Sequence, residues 1–240
     1  MRTNLRLPQL DISRAARFFV SDDHRGHAIF ILGPSAAGKS FGLKSNLHRI
    51  LHTAEWNKNE SFHVIDGGIM RECSKMWGEM KSLRLGERTS CGSSGLDGFE
   101  DLYKTYFKPH ITRCKKALFA KLKKEHRNML IPDTATSLLK DKTWSKIKEL
   151  NSAGYKILMC AVVASKGKCE YNGSTRQRNE GKIYSSIGWS RAMTRVQALF
   201  NKCRKNKINP ELPSIVINND DWDNVSMDVR RSVCVSSLER

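Results

Sequence analysis

The chain has 240 residues, enough for one α/β domain with a full core and short for two. Its 42 Lys and Arg against 24 Asp and Glu leave a formal charge of +18, which favours anionic partners: nucleotides, phosphorylated sugars, nucleic acid or an acidic protein. The start, MRTNLRLPQLDISRAARFF, has no apolar h-region and no later run resembles a membrane span, so a soluble, cytoplasmic protein without signal peptide or transmembrane segment is expected.

In chain order, residues 11–20 can form a short helix within an N-terminal extension, 1–25, that packs on the domain or serves a partner. Ala28 to Leu32 read as a buried parallel strand. It runs into GPSAAGKS, where Gly33, Gly38, Lys39 and Ser40 fill G-x-x-x-x-G-K-[ST] and Pro34, Ser35, Ala36 and Ala37 complete the loop. Glycines let backbone N–H groups close around phosphate oxygens, the lysine neutralises the β- and γ-phosphates, and the serine hydroxyl holds magnesium. Leu43, Leu47, Ile50 and Leu51 then repeat at helical spacing, and the N-terminus of that helix points its positive dipole end at the anion.

A short strand, Phe62 to Ile65, ends in Asp66, at the carboxyl edge where ligands gather in open α/β sheets. Gly67 and Gly68 turn into a helix carrying Met70, Arg71 and Trp77. Residues 84–98, rich in Gly and Ser, read as a flexible loop. From Leu102 a long amphipathic helix follows, with Phe107, Ile111, Cys114, Leu118 and Leu122 on its apolar face. Its other face carries Lys115, Lys116, Lys121, Lys123 and Lys124, which read as a solvated face or as an RNA-binding stripe.

A third strand, NMLIPD, should end near Pro132, with Asp133 at its tip. A helix from about Ser137 to Leu150 leads into the strand YKILMCAVV. The basic, polar segment 165–191 is assigned as a lid. Trp189, Met193, Val196, Phe200 and Cys203 mark a helix, SIVINND a fifth strand, and the tail from Trp222 has no clear period. The expected fold is α/β: a P-loop kinase-like parallel sheet of about five strands flanked by helices, in one domain over 1–240. The seven cysteines form no C-x-x-C pair, and Cys114, Cys160 and Cys203 fall on apolar faces as reduced core thiols.

A P-loop specifies nucleotide binding, not the reaction. No N-K-x-D motif of switch GTPases is present. Small-molecule kinases need a carboxylate near the acceptor hydroxyl and arginines over the transferred phosphoryl, and this chain offers both. Asp66 and Asp133 are the candidate carboxylates, each of which could instead cap the next helix. Arg71 could hold a substrate phosphate or make a local salt bridge.

Here the sequence resembles the zeta toxin family of P-loop kinases, in element order from about 28 to 217. VIDGGIMR is similar to the family's I-D-x-D-x-F-[RK], with Asp66, Met70 and Arg71 at the first acidic, bulky apolar and basic positions. Trp77 stands where the family has an aromatic after its H-P pair, here replaced by Ser74 and Lys75. IPDTAT resembles I-I-E-x-T, with Asp133 at the acidic, substrate-contacting position. Arg178 and Arg191 match the spacing of the two arginines that clamp the phosphates, and R-A-M-T is similar to the family's R-A-T. The departure is Gly68, where the family places its catalytic aspartate.

The resemblance implies transfer of the γ-phosphate of ATP (or GTP), with Mg2+, to a hydroxyl of a nucleotide-sugar such as UDP-N-acetylglucosamine or another nucleotide metabolite. Toxicity and a small antitoxin partner are implied with it. Lys39, Asp66, Asp133, Arg178 and Arg191 would be catalytic, residues 33–40 would bind nucleotide, Ser40 would hold the metal, and Asp66, Arg71 and Asp133 would meet the acceptor. With glycine at 68, either Asp66 or Asp133 takes the base role, or the acceptor differs. The alternative is a non-catalytic or weakly hydrolytic P-loop protein that engages nucleic acid or an acidic partner.

Overall fold

The computed structural model describes residues 26–56, 61–79, 82, 103–134, 142–180, 184, 187–208, 214–220 and 226–230. The expected helix over 11–20, the extension 1–25, the loop 84–98, the side chain of Leu43 and the start of the helix near Ser137 lie outside the described residues.

Five strands run parallel: β1 (His27–Leu32), β2 (His63–Val64), β3 (Met129–Asp133), β4 (Lys156–Val163) and β5 (Ser214–Asn218). The sheet order is β2-β3-β1-β4-β5-β6, with β6 (Ser226–Arg230) antiparallel to β5. The expected strands are therefore present, and one edge strand was added where the tail showed no period. β6, Ser-Met-Asp-Val-Arg at a sheet edge, alternates polar and apolar residues over five positions only, too short a run to stand out in the tail.

β1 lies in the middle of the sheet because both its faces are covered. Ala28, Phe30 and Leu32 join one core with Met129, Ile131 and Met159. That side is roofed by Ile111, Leu118 and Leu122 of α3 (Lys108–Lys124), Ile147 and Leu150 of α4 (Lys142–Ser152), and Met193, Val196 and Phe200 of α6 (Gly188–Lys205). Ile29 and Ile31 point the other way, into a second core with Leu158, Cys160, Ile215 and Ile50 and Leu51 of α1 (Lys39–Thr53). Burial on both faces is why β1 and β4 read as unbroken apolar runs.

Three expectations need correction. The helix expected to carry Met70, Arg71 and Trp77 is broken: α2 (Gly67–Glu72) stops at Cys73, and Trp77 sits on a new turn, 75–79, whose Trp77 N–H meets Ser74 Oγ at 3.4 Å. The helix expected from Leu102 opens as a π turn, Tyr103–Phe107, before α3 begins with Pro109 in its first turn. Most of the polar segment assigned as a lid is helix α5 (Lys166–Glu180). It buries Cys169 and Gly173 and little else, so no apolar period announced it.

Candidate active site

The phosphate-binding motif folds as its glycines require. At Gly33 φ is +154°, and a Cβ there would run into the carbonyl oxygen of Val162 on β4. Ala36 and Gly38 are left-handed, with φ of 63° and 76°. Gly38 caps α1 without a side-chain hydrogen bond, and no acidic residue stands in the first turn. Glycine at the cap gives the N-terminus of α1 no capping side chain of its own, which suits an anion. Lys39 Nζ donates to Gly33 O at 2.9 Å and Pro34 O at 2.7 Å, arching over the loop's own backbone.

Strand register brings the carboxylates to this loop. Asp133 ends β3 directly opposite Leu32, the last residue before Gly33. Its Oδ2 accepts from Thr143 Oγ1 at 3.0 Å. Behind it, burial pushes the Lys146 ammonium below its ordinary pKa, against the opposing pull of Asp133. Asp66 is the N-cap of α2 and accepts from Gly68 N–H, so the capping role is real. A Cβ on Gly68 would lie 2.8 Å from Asp66 Oδ1, so the Asp66 carboxylate stands where a residue-68 side chain would start. Arg71 is 7 % exposed, with its guanidinium 5.5 Å from the Trp77 ring centroid.

A cleft of about 900 Å³ gathers these groups. Ser35, Ala36, Gly38, Lys39 and Ser40 form its floor, and Asp66, Arg71 and Asp133 line its sides. Gly33, Pro34 and Ala37 shape the loop without lining the cleft. Arg191 is exposed on the first turn of α6 and does not line the cleft; the side chain of Arg178 lies outside the described residues. The guanidinium that does reach the cleft from α5 is that of Arg176, together with Asn172 and Thr175. Those three share one helix face, a signal that only a helical reading of the segment would have exposed.

Two asparagines missed in the sequence grip the loop, Asn172 from the cleft and Asn219 from the core. Asn172 Nδ2 donates to Ala36 O at 3.2 Å, and Asn219, fully buried after β5, donates to Ala37 O at 2.9 Å. The cysteines behave as expected where described. Cys160, Cys203 and half-buried Cys114 are free thiols in or against the core, and burial pushes Cys160 and Cys203 up to about 12.

No protein-family model and no curated protein matches the chain. Among solved structures it is similar to one from the PezAT chromosomal toxin–antitoxin system of the human pathogen Streptococcus pneumoniae, with a TM-score of 0.55 and 17% identity over 90% of this chain and 75% of that one. It is also similar to the AvrRxo1-ORF1:-ORF2 complex, with a TM-score of 0.50 and 11% identity over 89% of this chain and 66% of that one. The chain thus shares its α/β fold, a parallel sheet flanked by helices, with these structures.

Proposed function

We propose that this chain is a phosphotransferase that moves the γ-phosphoryl group of ATP or GTP to a hydroxyl of a nucleotide-bearing acceptor, such as a UDP-sugar. The observation that carries the reading is the convergence of Lys39, Ser40, Asp66, Arg71, Asp133 and Arg176 on one cleft. The loop fits a triphosphate: Gly33 and Gly38 adopt backbone that side chains resist, and the N-terminus of α1 has no side-chain cap.

Lys39 would neutralise the β- and γ-phosphates, and Arg176 would spread its fork over the transferring group, a role for which Arg191 stands outside the cleft. Magnesium would be held by the Ser40 hydroxyl with Asp133 near by, and supplies neutralisation of charge on the phosphate oxygens.

Asp66 is the base. Its carboxylate stands at the point from which a residue-68 side chain would project, so it supplies what Gly68 lacks. The acceptor oxygen attacks the γ-phosphorus, the bond to the β–γ bridging oxygen breaks, the nucleoside diphosphate leaves, and the acceptor proton passes to Asp66. Arg71, buried beside it, would hold an anionic group of the acceptor. By analogy with the toxin–antitoxin system of the PezAT neighbour, a small antitoxin protein is the expected partner.

The test is mass spectrometry of the protein with Mg-ATP and a panel of UDP-sugars, nucleosides and NAD. One acceptor should gain one phosphate, and Lys39→Ala should abolish the gain. If nucleotide binds and no acceptor gains mass, the Gly68 departure favours the binding-protein reading, which then requires RNA affinity that falls steeply with salt.

A further inference from the structure

We infer that Asn172 and Asn219 are positioning residues of the phosphate loop, fixing two successive carbonyls so that the following amides are held in place for the nucleotide. The inference rests on the nucleotide-binding reading above and assigns the loop's rigidity to two side chains outside the motif.

Asn172 on α5 donates to Ala36 O, and Asn219 after β5 donates to Ala37 O. In a trans peptide the carbonyl of one residue and the N–H of the next point in opposite directions. Fixing these two carbonyls therefore fixes the N–H groups of Ala37 and Gly38 on the opposite side of each peptide. Ala37 N–H makes only a long turn contact there, 3.4 Å to Pro34 O. Preorganised amides of this kind bind phosphate without first paying to reorient.

The setting of Asn219 argues that the grip is needed. It is fully buried, and its Oδ1 has no hydrogen-bond partner among the described residues. An orphaned buried carbonyl is costly, and leucine, of similar size, would avoid that cost. Only the donor at Nδ2 distinguishes asparagine here. Its backbone is fixed too: Asn219 N–H bonds to Val163 O at 2.8 Å, at the end of β4. Its neighbour Asp220 accepts from Ser165 N–H, at the start of α5. One turn and a half along α5 comes Asn172, which returns to the loop. The circuit from loop to β5 to α5 and back is closed by side chains alone.

The test measures affinity for Mg-ADP and for tripolyphosphate by calorimetry on folded protein, together with melting temperature, for wild type, Lys39→Ala, Asn219→Leu, Asn219→Asp and Asn172→Leu. Asn219→Leu should weaken both ligands at least tenfold while its melting temperature stays level or rises, because the orphan oxygen is gone. Asn219→Asp, which sets an acceptor against Ala37 O, should weaken them as much. Asn172→Leu should weaken both about threefold or more, and it decides the matter if neither Asn219 variant folds. Affinity within twofold of wild type in the folded variants, with Lys39→Ala defective, would overturn the inference and spare the nucleotide reading. So would a fall in melting temperature with affinity unchanged, or a loss for Mg-ADP that tripolyphosphate does not share. If wild type binds neither ligand, the nucleotide reading itself fails and the inference falls with it.

Discussion

At Gly33 the chain leaves β1 for the loop with φ at +154° and its Cα pressed against the backbone of Val162. Gly33→Ala must move the end of β4, a central strand with no slack, so it should cost roughly 3 kcal/mol, read as a drop in urea midpoint. The Asp66 and Gly68 pair offers a sharper test of chemistry. Asp66→Ala should lower kcat by about 10²-fold or more, with nucleotide KM within a few-fold, and lose about 1 kcal/mol of stability through the missing cap. Adding Gly68→Asp to Asp66→Ala returns a carboxylate to the same corner, and should recover part of kcat. In the wild-type background Gly68→Asp should instead be harmful, because its Cβ crowds Asp66 Oδ1 and two like charges compete for one place. Residues at this scale were legible where local pattern dictates them. Lys39 and Ser40 follow from loop spacing, and Asp66 from its place at a strand end. Arg176 and Asn219 were not, because the first depends on a helix without apolar period and the second on a carbonyl 182 residues away.

Helix α5 shows how an element can be fixed by few contacts. Its interior Gly173 leaves room for the ring of Tyr184, which packs with Trp189 around Ala37, Ala164 and Cys169, directly behind the loop. Tyr184 N–H bonds to Gln177 Oε1 at 3.1 Å, and Trp189 Nε1–H to Ala164 O at 3.0 Å. Gly173→Ala should gain about 1 kcal/mol of helix propensity yet drive Tyr184 from its seat. Lost packing should win: faster amide exchange at Tyr184 and a melting temperature lower by roughly 2–4 °C. The central strands were readable because burial on both faces makes them unbroken apolar runs, and α3 because its apolar residues recur on the helical period of 3.6. α5 was unreadable for the converse reason, since among its described residues only Cys169 and Gly173 are buried and most of its other contacts are polar bonds. The break between α2 and the turn carrying Trp77 escaped as well, because Ser74 ends one helix and supports the next only through tertiary placement.

For the whole molecule, two electrostatic effects oppose each other as pH rises. With a formal charge of +18 at pH 7 and a pI near 9.8, the protein repels itself at neutral pH. Exposed pairs such as Lys75–Glu79 and Lys166–Glu170, at 3.8 and 3.9 Å, offset little of this. Raising pH towards the pI relieves the repulsion. Burial acts the other way. It pushes the Cys160 and Cys203 thiols from 9.0 to about 12, and the Tyr155 phenol, which donates to Leu122 O and Arg127 O, from 10.0 to about 12. All three are neutral when protonated, and their folded pKa lies above the unfolded one. Their contribution is complete below the unfolded value and drains away as pH rises from about 9 through 12, because the unfolded chain sheds these protons first. Repulsion is spread over a screened surface whereas the three ionisations are forced in a dry core, so burial should dominate. The urea midpoint should fall steeply between pH 9 and 12, and 0.5 M salt, which screens repulsion, should hardly change that slope. Cys203→Ala should start less stable by about 1 kcal/mol and fall less steeply, having one fewer proton to lose. An unchanged slope in that variant, measured from pH 9 to 11, would mean that the Cys203 site admits water and carries no alkaline penalty.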